Sequence, residues 1–137
     1  MLTKKYLDEL TYDIIGCAIE VHKRIGSGLL EGVYHECMIE ELKHRKINFH
    51  TEKRVPIVYR NKTLDKDFRC DLFVENAIVV ELKSVVEMNP IFEAQILTYM
   101  KLLKCPKGIL INFNCKNIFN DGQKNFVNEY FTNLPNY

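Results

Sequence analysis

Apolar residues recur along the chain with two periods, and the change from one to the other marks out its elements. From Thr11 to Ile25, the positions Ile14, Ile15, Ala18, Ile19 and Ile25 fall three and four apart, with His22 on or beside the stripe. This predicts a helix, stopped by Gly26 and Gly28. The stretch Gly28 to Tyr34 leads into a second helix running to about Lys46, with Val33, Cys37, Met38, Ile39 and Leu42 as candidate core. From Ile47 to Arg60 the pattern alternates, with Phe49, Val55, Ile57 and Tyr59 on one side, and Pro56 marks an edge position or a bulge. A turn at Asn61-Lys62 returns the chain through Phe68 into a hairpin, making three consecutive antiparallel strands. Asn89-Pro90 is a helix start, an N-cap followed by proline, and Cys105-Pro106 ends that helix after about Lys104. Gly108 to Phe113 is short, apolar and β-branched, as a buried strand should be. Strand, helix, strand implies a right-handed crossover and hence a mixed sheet. Residues 1–10 carry no clear pattern. Residues 114–137, rich in Asn with scattered aromatics, fit a short helix or a further strand equally.

The hairpin at residues 69–83 carries the chemistry. Turning about Asn76 through a Glu75-Asn76-Ala77 loop, whose Asn tolerates the left-handed conformation, it brings Asp71 opposite Glu81. One face then holds Cys70, Leu72, Val74, Ile78, Val80 and Leu82, a core face. The other holds Asp71, Phe73, Val79, Glu81 and Lys83, with two acids and one base at its open end. Burying such charges unpaired is costly. Two readings account for them. One is a cross-strand ion-pair network at a sheet edge. The other is a site that holds a hard divalent cation against a phosphate, with Lys83 orienting the attacking water or offsetting charge on the phosphate.

Length and composition bound the rest. At 137 residues, 47% hydrophobic and 27% charged, the chain reads as a single globular domain, 1–137, with no disorder signature. No apolar run is long enough for a membrane span and no leader precedes the first helix, so a cytoplasmic location is expected. Five widely spaced cysteines without a CxxC pair support neither a disulfide framework nor a zinc or iron–sulfur site. The net charge of +1 conceals an asymmetry, because residues 43–69 hold nine Lys and Arg against three acids. This segment, with Lys53, Arg54, Arg60, Lys62 and Arg69, runs straight into Asp71. A polyanion drawn to it would arrive beside the carboxylates, although a solvated face of ordinary lysines gives the same count.

Two helix pairs complete the pattern. Glu31 lies in the first turn of the second helix, where a carboxylate suits the helix dipole, and Tyr34 shares its face beside a glycine loop that permits close approach. Gln95 and Tyr99 share a face of the third helix. Together, Gly28-x-x-Glu31-x-x-Tyr34, Asp71, Glu81-x-Lys83 and Gln95-x-x-x-Tyr99 resemble the GxxExxY family, a branch of the PD-(D/E)XK nuclease superfamily, over roughly residues 10–113. The resemblance implies a restriction-endonuclease-like αβββαβ core, an α/β fold with a four-stranded mixed sheet flanked by helices, and residues 114–137 as an extension. It implies Mg²⁺, with Mn²⁺ as a substitute, held by Asp71, Glu81 and Glu31. Lys83 would be the catalytic lysine and Gln95 with Tyr99 would line the substrate groove; from charge and spacing, Tyr34, Lys53, Arg54 and Arg69 are further candidate substrate contacts. Cys70 stands where the motif's proline would be, a position that does no chemistry. The expected substrate is nucleic acid, DNA first, with a homodimer or a partner protein assisting binding. A non-catalytic nucleic-acid or protein-binding module on the same fold is the alternative.

Overall fold

The central hairpin forms in the register its sequence dictates. In the computed structural model, which describes residues 1–137, Leu72 pairs with Val80, Phe73 with Val79 and Val74 with Ile78. The loop between them places Glu75 and Asn76 at positive φ, 51° and 53°. Around this hairpin the elements run α1 (Lys4–Ile25), α2 (Glu31–His44), β1 (Phe49–Arg54), β2 (Val58–Tyr59), β3 (Lys62–Thr63), β4 (Arg69–Val74), β5 (Ile78–Lys83), α3 (Pro90–Leu102), β6 (Lys107–Asn112), a π-helical turn (Ile118–Gly122), β7 (Gln123–Val127) and α4 (Glu129–Thr132). β1, β4, β5, β6 and β7 form one mixed sheet in that order, with β5 and β6 parallel and the other neighbours antiparallel.

The sheet therefore has five strands, one more than expected. The fifth comes from the Asn-rich tail, where Gln123–Val127 pairs antiparallel with β6. Its alternation is too weak to declare itself, since the pairing surface comes from β6. The long alternating stretch from Ile47 to Arg60 also divides. The chain leaves the sheet after Arg54, Val55 is buried beneath it, and past Pro56 the residues Val58–Tyr59 and Lys62–Thr63 pair only with each other. Proline supplies no N–H to continue a ladder. Tyr59 is consequently exposed, not aligned with Phe49 on a core face.

Two cores flank the sheet. α1 and α2 cover one face, with Leu7, Ile14, Ala18, Met38 and Leu42 packed on Leu72, Val80, Leu82, Ile109 and Ile111. α3 covers the other through Ile96, Tyr99 and Met100, packed on Phe73, Val79 and Leu110. Cys70, expected beside Leu72, belongs to this second core. Of the expected α1 stripe, Ile19 and Ile25 stay exposed, as does Val33 of α2. α1 begins seven residues earlier than its apolar stripe predicts, capped by the Thr3 side chain. Its first amides are taken by the tail, with Lys4 N–H donating to Pro135 O and Lys5 N–H to Asn136 O, both at 2.9 Å. α3 starts on the expected cap, Asn89 Oδ1 accepting from Ile91 N–H. All five cysteines are free, with Cys17, Cys70 and Cys105 buried. No helix is long and apolar enough to cross a membrane.

Candidate active site

The strand ladder breaks at Asp71, and the break makes the site. Pairing with β5 stops at Leu72–Val80, while pairing with β1 passes from Thr51–Leu72 to Lys53–Cys70 without a pair at Asp71. Opposite it on β1, Glu52 sits at φ 49°, in the left-handed region. Side chains take over from the ladder. Asp71 Oδ2 accepts from the Leu82 N–H at 2.7 Å, and the Asp71 N–H donates to Glu81 Oε2 at 3.4 Å. His35 Nε2 lies 3.1 Å from Asp71 O, and because a carbonyl only accepts, that nitrogen carries the proton. The same break explains why Cys70 falls on the α3 side.

Glu81 is the most unusual group in the chain. It is 4% exposed, and its Oε1 is buried with no hydrogen-bond partner. Burial, then the neighbouring Asp71 charge, pushes its carboxyl up to about 9. Lys83 opposes that rise, and its ammonium lies over the Phe92 ring of α3, 4.3 Å from the centroid. Two carboxylates brought together with one oxygen unsatisfied are what a hard divalent cation requires, since such ions take oxygen donors. The donor set of Asp71 and Glu81 fits one. No three His, Cys, Asp or Glu side chains enclose a common point. An ion here would keep other ligands such as water, as Mg²⁺ usually does.

Glu31 opens α2 at the rim of this site. Desolvation raises its carboxyl first; the Lys83 charge lowers it, and the Asp71 charge raises it again. Tyr99 of α3, packed in the second core, has its phenol raised by burial and then by the charge of Glu81. Gln95 sits one turn earlier on α3, half-buried. Lys53 and Arg54 end β1, opposite Cys70 and Arg69. Arg69 is held by Asp67 at 2.9 Å.

Tyr34 has a different place from the one expected. It is fully buried and stacked on Phe113, with centroids 4.4 Å apart and planes within 4°. Its hydroxyl donates to Gly26 O at 2.8 Å and accepts from Leu29 N–H at 3.2 Å. Gly26 and Gly28 hold φ of 76° and 92°, a path that favours glycine and that the Tyr34 hydroxyl ties down at both ends. Tyr34 thus belongs to the scaffold that sets Glu31, and both its polar contacts are spent on backbone. On the far side, Ser84 Oγ donates to Leu29 O at 2.6 Å, and Asn112 binds Val85 through both ends of its amide. These bonds fix the chain just after Lys83.

His35, Glu52, Ser84 and Asn112 escape the sequence reading. For His35 a signal exists, since it follows Glu31 by four residues on one helix face. His22, the histidine on the apolar stripe, packs against Cys115 O at 2.9 Å and lies outside the site. A cleft of about 660 Å³ between α1 and α2, lined by Glu20, Arg24, Glu40, Glu41, His44 and Arg45, contains none of the site residues. The carboxylates lie elsewhere, Asp71 half-buried and Glu81 almost wholly buried on neighbouring strands of the sheet.

A mixed sheet between helices, with an acid at a broken ladder and Glu-x-Lys on the adjoining strand, defines a restriction-endonuclease-like fold. The chain matches the PD-(D/E)XK nuclease superfamily over residues 8–125, and it belongs to that superfamily. The match extends beyond residue 113 into β7. No curated protein and no solved structure matches it.

Proposed function

We propose that this protein is a metal-dependent nuclease of the GxxExxY branch that hydrolyses phosphodiester bonds in DNA. The observation that carries the reading is Glu81, buried against Asp71 with one carboxylate oxygen unpartnered and Lys83 on the same strand face. Asp71 and Glu81 would hold Mg²⁺ or Mn²⁺, with Glu31 outside the direct donor set. The bound ion supplies a Lewis acid for a phosphoryl oxygen and a bound water of lowered pKa.

The chain's own groups do the rest. Lys83, carried on a strand fixed by Asn112 and Ser84, donates hydrogen bonds to the water or to the phosphate on which charge develops. Glu31 adds negative charge at the rim, and its place depends on the loop that Tyr34 anchors. Gln95 and Tyr99 present polar groups from α3 along one wall. Lys53, Arg54 and Arg69 contact phosphates on the opposite side, orienting the strand so that one phosphodiester meets the carboxylates.

Calorimetric Mn²⁺ titration beside a cleavage assay on plasmid, linear duplex and single-stranded DNA tests the assignment. Asp71→Ala and Glu81→Ala should each abolish metal binding and cleavage, while Lys83→Ala keeps metal and loses cleavage. Unchanged metal affinity in both acid variants would sink it. Metal binding and nucleic-acid binding without cleavage would instead indicate a non-catalytic module.

A further inference from the structure

Between Arg54 and Arg69 the chain makes an excursion that the sheet does not use. Val55 is buried and its N–H donates to Phe68 O at 2.7 Å, closing the base of the excursion; Leu64 N–H donates to Ile57 O at 2.8 Å further out. Beyond this lies the ladder Val58–Thr63 and Tyr59–Lys62, all four residues exposed. The tip turns through Arg60 and Asn61, both at positive φ, 49° and 68°, as a two-residue hairpin turn with a twisted ribbon requires. Val58 is 57% and Tyr59 64% exposed, and the Arg60 guanidinium lies 5.8 Å from the Tyr59 ring centroid. A two-stranded ribbon is marginally stable at best in water, so a tip with exposed apolar and aromatic groups suits a partner.

Charge and position identify that partner. Lys53, Arg54, Arg60, Lys62 and Lys66 form no ion pair, and the base of the ribbon ends at Arg69, two residues from Asp71. We infer that β2–β3 is an arm that enters the major groove of B-form DNA and holds the duplex over the carboxylates. This rests on nucleic acid being the substrate. The five residues from Val55 to Tyr59 span at most roughly 17 Å, more than the groove depth of about 8.5 Å. The major groove of B-DNA admits a two-stranded ribbon, whereas that of A-form RNA is too deep and narrow for side chains to read. The arm therefore selects duplex DNA over duplex RNA. Tyr59, Arg60 and Lys62 meet base edges and the flanking phosphates.

Binding of a labelled DNA duplex, its single strand and the RNA duplex of the same sequence, measured by anisotropy in EDTA, separates this from cleavage. A triple variant, Tyr59→Ser, Arg60→Ser and Lys62→Ser, changes only exposed residues. A charge-matched control, Lys43→Ser with Lys101→Ser, removes two cations at the far ends of α2 and α3. The wild type should prefer the DNA duplex. The arm variant should lose about tenfold or more in duplex affinity and reduce the salt slope by about 2, with single-strand affinity little changed, while the control keeps the preference. Dimethyl sulfate should find guanine N7 protected by the wild type and open with the arm variant. Equal loss in arm and control variants, protection confined to adenine N3, or no preference for duplex DNA would overturn the arm. A wild type that never cleaves but shows the arm-dependent preference would remove the nuclease reading and leave the arm standing.

Discussion

On the proposed function, Glu81 is where proton and metal would compete. Its folded pKa lies above the unfolded value, so between about pH 4.5 and 9 the folded metal-free protein retains a proton that the unfolded chain has released. The stability this supplies is complete below the unfolded pKa and is lost as pH rises through the folded one. Glu81→Gln removes that dependence: the metal-free variant should match the wild type near pH 4 and melt higher than it at neutral pH. Calorimetry across that range decides, and parallel pH profiles would show that the carboxyl is not raised. Glu31 gives a milder version of the same test. Its carboxyl is also raised, by desolvation and by Asp71, so Glu31→Gln should raise the metal-free melting temperature and lower Mn²⁺ affinity. A fall in melting temperature with metal affinity intact would make Glu31 a helix-terminal charge only.

Among the elements, the Gly26–Leu30 loop shows how scaffold becomes site. Tyr34→Phe keeps the stack on Phe113 and deletes both loop hydrogen bonds, which should cost about 1–3 kcal/mol in stability. Cleavage should fall with it because Glu31 loses its fixed approach; denaturant melts beside cleavage assays read the two effects. The hairpin register was legible because a loop tolerant of positive φ and a two-residue period leave one alignment that buries the apolar set. The α3 start was legible from Asn89-Pro90 for similarly local reasons. What escaped depends on distant partners. Gln123–Val127 is a strand because β6 offers it an edge, and residues 4–10 are helical because the tail and Thr3 satisfy their amides. The spacing of His35 from Glu31 gives its helix face, but its partner, the Asp71 carbonyl, is free only because the ladder breaks there. Tyr34 was misread for the opposite reason, since a motif position says nothing about whether a side chain points out or in.

For the molecule as a whole, the cations are concentrated in one segment, residues 43–69, with nine Lys and Arg against three acids. If Lys53, Arg54, Arg60, Lys62 and Arg69 contact phosphates, log affinity for DNA should fall with log salt at a slope of about −0.7 to −0.9 per phosphate neutralised. A flat response would mean that the segment is merely solvated.

The irregularity of β1 has a second effect, on colloidal behaviour. A five-stranded sheet leaves two outer strands whose unpaired amides and carbonyls invite another chain to add on. β1 carries a left-handed residue at Glu52 and exposed charge at Arg54, and it ends before Pro56. β7 at the other border is five residues long, carries Lys124 and gives way at once to α4. Neither border presents a long, flat row of backbone groups, so the distortion opposite Asp71 also disfavours sheet-to-sheet polymerisation.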